Sequence, residues 1–163
     1  MRKIVALFML LVCVFSVSSC AVVPAYDSGE LIEILENAGY KVEKDVTEEV
    51  QEGIVGYVYA TNEETEDELY YIYCKNIKSA RSIYNYVNSK QKAKIAELKM
   101  EIEKIEYALY KSEGVSAAEK GDYYEQYVLN SEELEKVQKL TCGHGLNVVW
   151  YGTKSAVMTI RKG

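Results

Sequence analysis

Histidine, proline and tryptophan each occur once in this chain, as His144, Pro24 and Trp150. A single histidine leaves no set of imidazoles for a metal centre, and no G-x-S-x-G, H-E-x-x-H, phosphate-binding or dinucleotide fingerprint accompanies it. No residue pattern calls for a metal or a cofactor. A positive charge balance is also lacking: 19 basic residues against 25 acidic ones leave a formal net charge of -6. Without a basic stripe the chain does not suit nucleic acid, and without a polybasic patch it does not bind a membrane through anionic headgroups. Long apolar runs are missing too. The longest, Ile4 to Phe15, falls short of the roughly 20 residues that a spanning helix needs.

That apolar run follows Arg2 and Lys3 and ends in Ser16, Val17, Ser18 and Ser19 before Cys20, which is the three-part order of a secretory signal. Val17-Ser18-Ser19-Cys20 resembles the lipobox of bacterial lipoproteins: an aliphatic residue three before the cysteine, then small residues, then the cysteine. The resemblance implies that residues 1–19 are a signal peptide, that the thiol of Cys20 receives a diacylglycerol, and that Cys20 becomes the first residue of the mature chain. Cys13 does not compete, because bulky Val12 precedes it. The implied location is the extracytoplasmic face of a cell membrane. An excess of lysine over arginine, 16 to 3, fits a low-GC Gram-positive source. Cleavage would leave 144 residues with a formal charge of -8, enough for one domain and too few for two ordinary ones.

Residues 20–28 then read as the lipidated cysteine and a linker, eight residues spanning at most about 28 Å. The rest, 29–163, reads as one α+β domain. Ser28 is placed to cap a helix carrying Leu31, Ile32, Leu35 and Ala38 on one face, which Gly39 ends. Tyr40 to Val46 suits an edge strand. Ile54 to Ala60 and Leu69 to Lys75 are strands joined by an acidic tip, with Glu63, Glu64, Glu66, Asp67 and Glu68 expected in water.

From Ile77 to Lys111 the pattern is helical. Ala80, Ile83, Tyr84 and Val87 make a broad face, after which Gln91, Ile95, Leu98, Ile102, Ile105 and Leu109 alternate steps of four and three. That average of 3.5 is a coiled-coil seam. Tyr123, Tyr127, Asn130, Leu134 and Val137 repeat it, so an antiparallel helical hairpin over about 88–140 is expected, inserted into a small antiparallel sheet. Gly121-Asp122 and Asn130-Ser131 are weak points of the second helix, and as a further alternative the seam self-associates, giving a dimer through coiled-coil contact. Thr141 to Gly145 reads as a polar turn and Leu146 to Tyr151 as a strand with Trp150 sealing the core. For the last stretch two readings stand: a helix capped by Thr153, or a strand from Ala156 to Ile160.

Chemistry is thin. An exported setting permits a disulfide between Cys74 and Cys142. Cys142 and His144, flanked by glycines, are the one pair that a small envelope enzyme would use as nucleophile and base, though this adjacency is not the usual signature. Tyrosine is in excess, at 15 copies. Strand alternation assigns most of them to core edges; as an interaction surface the candidates are Tyr71, Tyr73, Tyr123 and Tyr127. Segments such as Tyr70 to Cys74 and Asn147 to Thr153 resemble those of small lipoproteins of Gram-positive anaerobes, a resemblance that implies no activity. The expected function is a non-catalytic binding module of the envelope, tethered by its lipid, with a protein or glycan as partner.

Overall fold

The computed structural model describes residues 23–45, 52–111 and 116–163, and its architecture is α+β. The lipobox and the leader lie outside the described residues. Helix α1 (Ser28–Asn37) is capped one residue earlier than expected: Asp27, not Ser28, holds the extended cap position, and its Oδ1 accepts from the backbone N–H of Gly29 and Glu30. A carboxylate satisfies two orphan donors and also meets the positive end of the helix dipole, which a hydroxyl does not. Gly39, at φ +82°, then turns the chain into the edge strand β1 (Lys41–Asp45).

Strands β2 (Ile54–Asn62) and β3 (Asp67–Cys74) form the expected hairpin. Helices α2 (Ile77–Lys111) and α3 (Ala117–Lys139) follow, then β4 (Leu140–His144), β5 (Val148–Thr153) and α4 (Lys154–Lys162). The sheet order is β1-β2-β3-β5-β4 and every pairing is antiparallel. Of the two readings of the last stretch the helix holds, since the Thr153 hydroxyl accepts from the Ala156 N–H.

Both sheet faces are covered, by different elements. On one, Val58, Leu69, Tyr71, Val148 and Trp150 pack against Leu31 and Leu35 of α1 and Val157 and Ile160 of α4. On the other, Cys74 and Val149 meet Ala80 and Ile83 of α2, with Ile72, Tyr84 and Val87 at the margin. Alternation along β3 and β5 therefore feeds two separate apolar clusters.

The stretch expected to be a linker has no regular structure, yet it is packed. Val23 and Tyr26 are buried in the first cluster. Tyr71 donates from its hydroxyl to the Pro24 carbonyl at 2.8 Å, and Tyr26 donates from its own to the Ile160 carbonyl at 2.8 Å. An apolar residue every third position was too short a pattern to signal burial, but these bonds and side chains fix the segment.

The hairpin follows the predicted seam. Leu98 and Ile105 are buried, and Gln91, Ile95, Ile102 and Leu109 are half-buried against Tyr123, Tyr127, Leu134 and Val137. The seam is thus filled within the chain and is not open to a second copy. Helix α3 runs unbroken through both suspected weak points, started by a reciprocal capping box between Ser116 and Glu119. At the root of the arm, Gln91 Nε2 donates to the carbonyls of Val137 and Leu140 at 3.0 and 2.9 Å, answering acceptors that a helix end leaves open.

The expected turn at Thr141 to Gly145 is instead the edge strand β4. Gly143 lies opposite Trp150, and a Cβ there would come within 2.3 Å of the indole Cζ2. The glycine is needed for space in a strand and not for a turn. Gly143→Ala should accordingly cost about 2 kcal/mol through overpacking. Urea unfolding followed by Trp150 emission measures this; an unchanged midpoint would show that the indole is not confined.

Candidate functional site

Asp67 opens β3 and is the one buried charged side chain among the described residues, at 8% exposure. Hydroxyls surround it. Oδ2 accepts from Thr65 at 2.8 Å and from Tyr40 at 3.1 Å, while Oδ1 accepts from Thr153 at 2.6 Å and from Ser155. Burial pushes this carboxyl up, and the bonds from Ser155, Thr153, Thr65 and Tyr40 outweigh it, holding the group below its ordinary value. One carboxylate thereby joins the β2–β3 turn, the entry to β1 and the start of α4. With its oxygens engaged by four donors, it is a clamp and offers little to a substrate. The sequence hid it among the acids of a tip read as solvated.

Around this clamp lies a groove of about 1080 Å³, walled by residues 65–68, the end of α3 and the first residues of α4. A second groove, of about 540 Å³, lies between Tyr26, Lys44, Val55 and Tyr73. There the Lys44 ammonium donates to Ser28 Oγ at 2.8 Å, and the Tyr73 hydroxyl is buried without a partner. Burial pushes the Tyr73 phenol up, with the Tyr71 and Asp27 charges adding to it.

Cys142 and His144 alternate on β4 and so share the sheet face that α2 covers. Burial pushes the Cys142 thiol up, against a weaker downward pull from the Lys92 ammonium, which is the reverse of an activated nucleophile. His144 packs its ring on Tyr84 at 5.0 Å and turns Nδ1 to the Gly145 carbonyl at 3.1 Å. Neither residue lines any of the grooves described here.

The permitted disulfide does not form: Cys74 and Cys142 are both free thiols. The strand order explains why. Strand β5 lies between β3 and β4, and Cys142 sits opposite Tyr151 whereas the Cys74 N–H bonds to the Asn147 carbonyl. Two strand spacings across and four residues along give roughly 16 Å, far beyond a disulfide's reach. Burial pushes the Cys74 thiol up to about 11.

The four tyrosines proposed as a surface are not one. Tyr71 is fully buried and Tyr73 half-buried on the α1 side of the sheet, while Tyr123 and Tyr127 lie in the arm's seam. Other tyrosines take the exposed places. Tyr59 and Tyr70 stack at 4.4 Å on the part of the sheet that α2 leaves open, beside a shallow depression of about 240 Å³ that Tyr57 and Ile72 also line. On the arm, Tyr107, Tyr110 and Tyr124 stand out in solvent with Met100, Val128 and Leu129. Cross-strand pairing makes Tyr59 and Tyr70 legible in the sequence once the hairpin register is set. The arm's exterior is the larger apolar surface, and it carries no chemistry beyond contact.

No family model matches the chain, and no curated protein or solved structure shows significant similarity to it.

Two outcomes follow from these groups. Asp67→Ala should destabilise the fold by about 3 kcal/mol, because four hydroxyls lose a charged acceptor. Since the folded-state carboxyl is held below its ordinary value, its contribution is whole above about pH 4 and fades as pH falls through the folded pKa. Thermal melts of wild type and Asp67→Asn from pH 7 down to pH 2 should therefore converge at the acid end; parallel curves would remove the clamp. After unfolding without reductant, Cys74 and Cys142 should both alkylate, and mass spectrometry that finds either one blocked by the other would contradict the strand order.

Proposed function

We infer that the protein is a lipoprotein anchored through Cys20 to the extracytoplasmic face of the cell membrane, where it works as a non-catalytic interaction module of the envelope. The observation that carries this reading is the arm. Its seam is filled inside the chain, and its outside exposes six large apolar side chains, Met100, Tyr107, Tyr110, Tyr124, Val128 and Leu129. A partner protein that covers those side chains is the economical explanation.

The packing of Val23 supports the placement. Two residues, Ala21 and Val22, separate it from Cys20, at most about 10 Å of chain, so an acyl chain on Cys20 would bring the bilayer close to the α1 and α4 side of the sheet. Helix α2 packs on the opposite face and leads into the arm. The interaction surface is thereby held away from the lipid. No chemistry is assigned to Cys142 and His144, given a thiol raised by burial and a ring lodged on Tyr84.

Cys20→Ser tests the anchor. In the native host the variant should fail to incorporate radiolabelled fatty acid and should leave the membrane fraction for the medium. A variant that still carries label or still sediments with membranes would end this reading.

A further inference from the structure

The outer surface of the arm is patterned on both helices. On α2, Ala93, Ala96, Met100, Tyr107 and Tyr110 are all exposed and fall on steps of three and four when Glu103 is counted between them. That is a second heptad stripe, distinct from the seam. On α3, Gly121, Tyr124 and Val128, with half-buried Ser131, repeat steps of three and four. Both stripes are offset from their seams in the same rotational sense. Because the helices run antiparallel, that offset turns both toward the same side of the hairpin, the α3 stripe about 100° round from its seam and the α2 stripe about 150° round, nearer the outer edge.

Two further observations say what covers this side. The first is charge: α2 carries eight basic residues against four acids, and α3 six acids against three basic residues. Among the described residues the one ion pair within 4.0 Å is Lys139–Glu135, inside α3, so the asymmetry is not spent between the helices. The second is Gly121, the residue type least suited to a helix interior after proline. Nothing lies within 4 Å of where its Cβ would be. The bond between Asn130 and Glu101 sets the register and puts Gly121 level with Tyr110, which is 88% exposed.

We propose that the arm pairs with the arm of a second copy of this chain, forming a four-helix bundle in which α2 of each lies on α3 of the other. Two-fold symmetry along the arm gives this arrangement, basic helix on acidic helix, and sets Tyr110 of one protomer over Gly121 of its partner, where a missing side chain leaves room. Inverting one arm would stack α2 on α2, and like charge opposes it. In the favoured arrangement both arms point the same way, as two copies anchored on one membrane require; the pairing deepens the function proposed above but does not rest on it. A contact about 30 Å long and two helices wide buries about 600 Å² per protomer, at the low end for a specific interface, so micromolar affinity is expected.

The test is sedimentation equilibrium of the full chain in detergent across the micromolar range, with circular dichroism as the check on folding. Wild type should dimerise. Val128→Glu and Tyr124→Glu, on the proposed side, should weaken the dimer more than tenfold with helix content unchanged. Leu129→Glu, equally exposed but offset to the other side of α3, should not. A wild-type monomer throughout overturns the proposal, as does a dimer that survives Val128→Glu or one that Leu129→Glu weakens as much. Because Cys20→Ser removes only the lipid, its soluble form should still dimerise, which separates failure of the anchor reading from failure of this one.

Discussion

Strand β5 pairs with β3 across the whole arm, Tyr73 opposite Val148 and Tyr71 opposite Trp150, and everything else in the fold is arranged so that this pairing can close. As an unstructured loop, the intervening segment would cost about 4 kcal/mol in closure entropy. The arm meets that cost locally. Its two helices are joined by a short connection and pack along one seam, so the ends of the excursion are held near each other by contacts within the arm itself. Gln91 completes the closure by holding the last carbonyls of α3 at the point where the arm meets the sheet. The arm is therefore both an appendage and the element that makes the sheet's central pairing possible.

The second closure, between the β2–β3 turn and the last helix, is made by a buried charge. Asp67 is tolerated because four hydroxyls replace the water it loses, and those hydroxyls come from segments that would otherwise be free to part. A leucine at this position would add apolar surface but would take the shared acceptor from Tyr40, Thr65, Thr153 and Ser155 and release the segments they hold together. The carboxylate thus trades desolvation for specificity of arrangement, and it ties α4, whose Ile160 and Val157 seal the core, to a turn at the far end of the hairpin.

How far the sequence could be read depended on whether the deciding contact was local. The seam was legible to the residue, because Ile95, Leu98, Ile102 and Ile105 need only each other's spacing to be recognised. The helix at 154–162 was half legible, since Thr153 serves as a cap in one reading and a turn in the other, and only burial of Val157 and Ile160 decides. Gly143 could not be read, because its reason is the Trp150 ring on the neighbouring strand. The two cysteines share that difficulty: strand order alone shows β5 standing between them. Alternation puts Tyr71 and Tyr73 on one face of β3, but it does not say whether a face is roofed, and α1 and α4 roof this one. For Tyr123 and Tyr127 two roles competed, seam and surface. Buried apolar area settles that contest, since a ring in the seam gains what an exposed ring does not.

Confinement to a membrane changes what a weak surface can do. A protein tethered through Cys20, with Val23 packed in its core, would be held at nearly fixed height and orientation, and its partners in the same bilayer would share that plane. Effective concentrations in such a layer reach millimolar values, so an interface of modest area is well occupied without the deep pockets and buried charge pairs that a diffusing pair needs. Such a tether would account for a combination that is otherwise odd for a folded domain: an arm whose seam is filled within the chain and an exterior of tyrosine, methionine and valine left in solvent. Such an exterior would hold a partner with only modest affinity from solution, and the tether would raise its occupancy. It would suit an encounter that such a tether had already arranged.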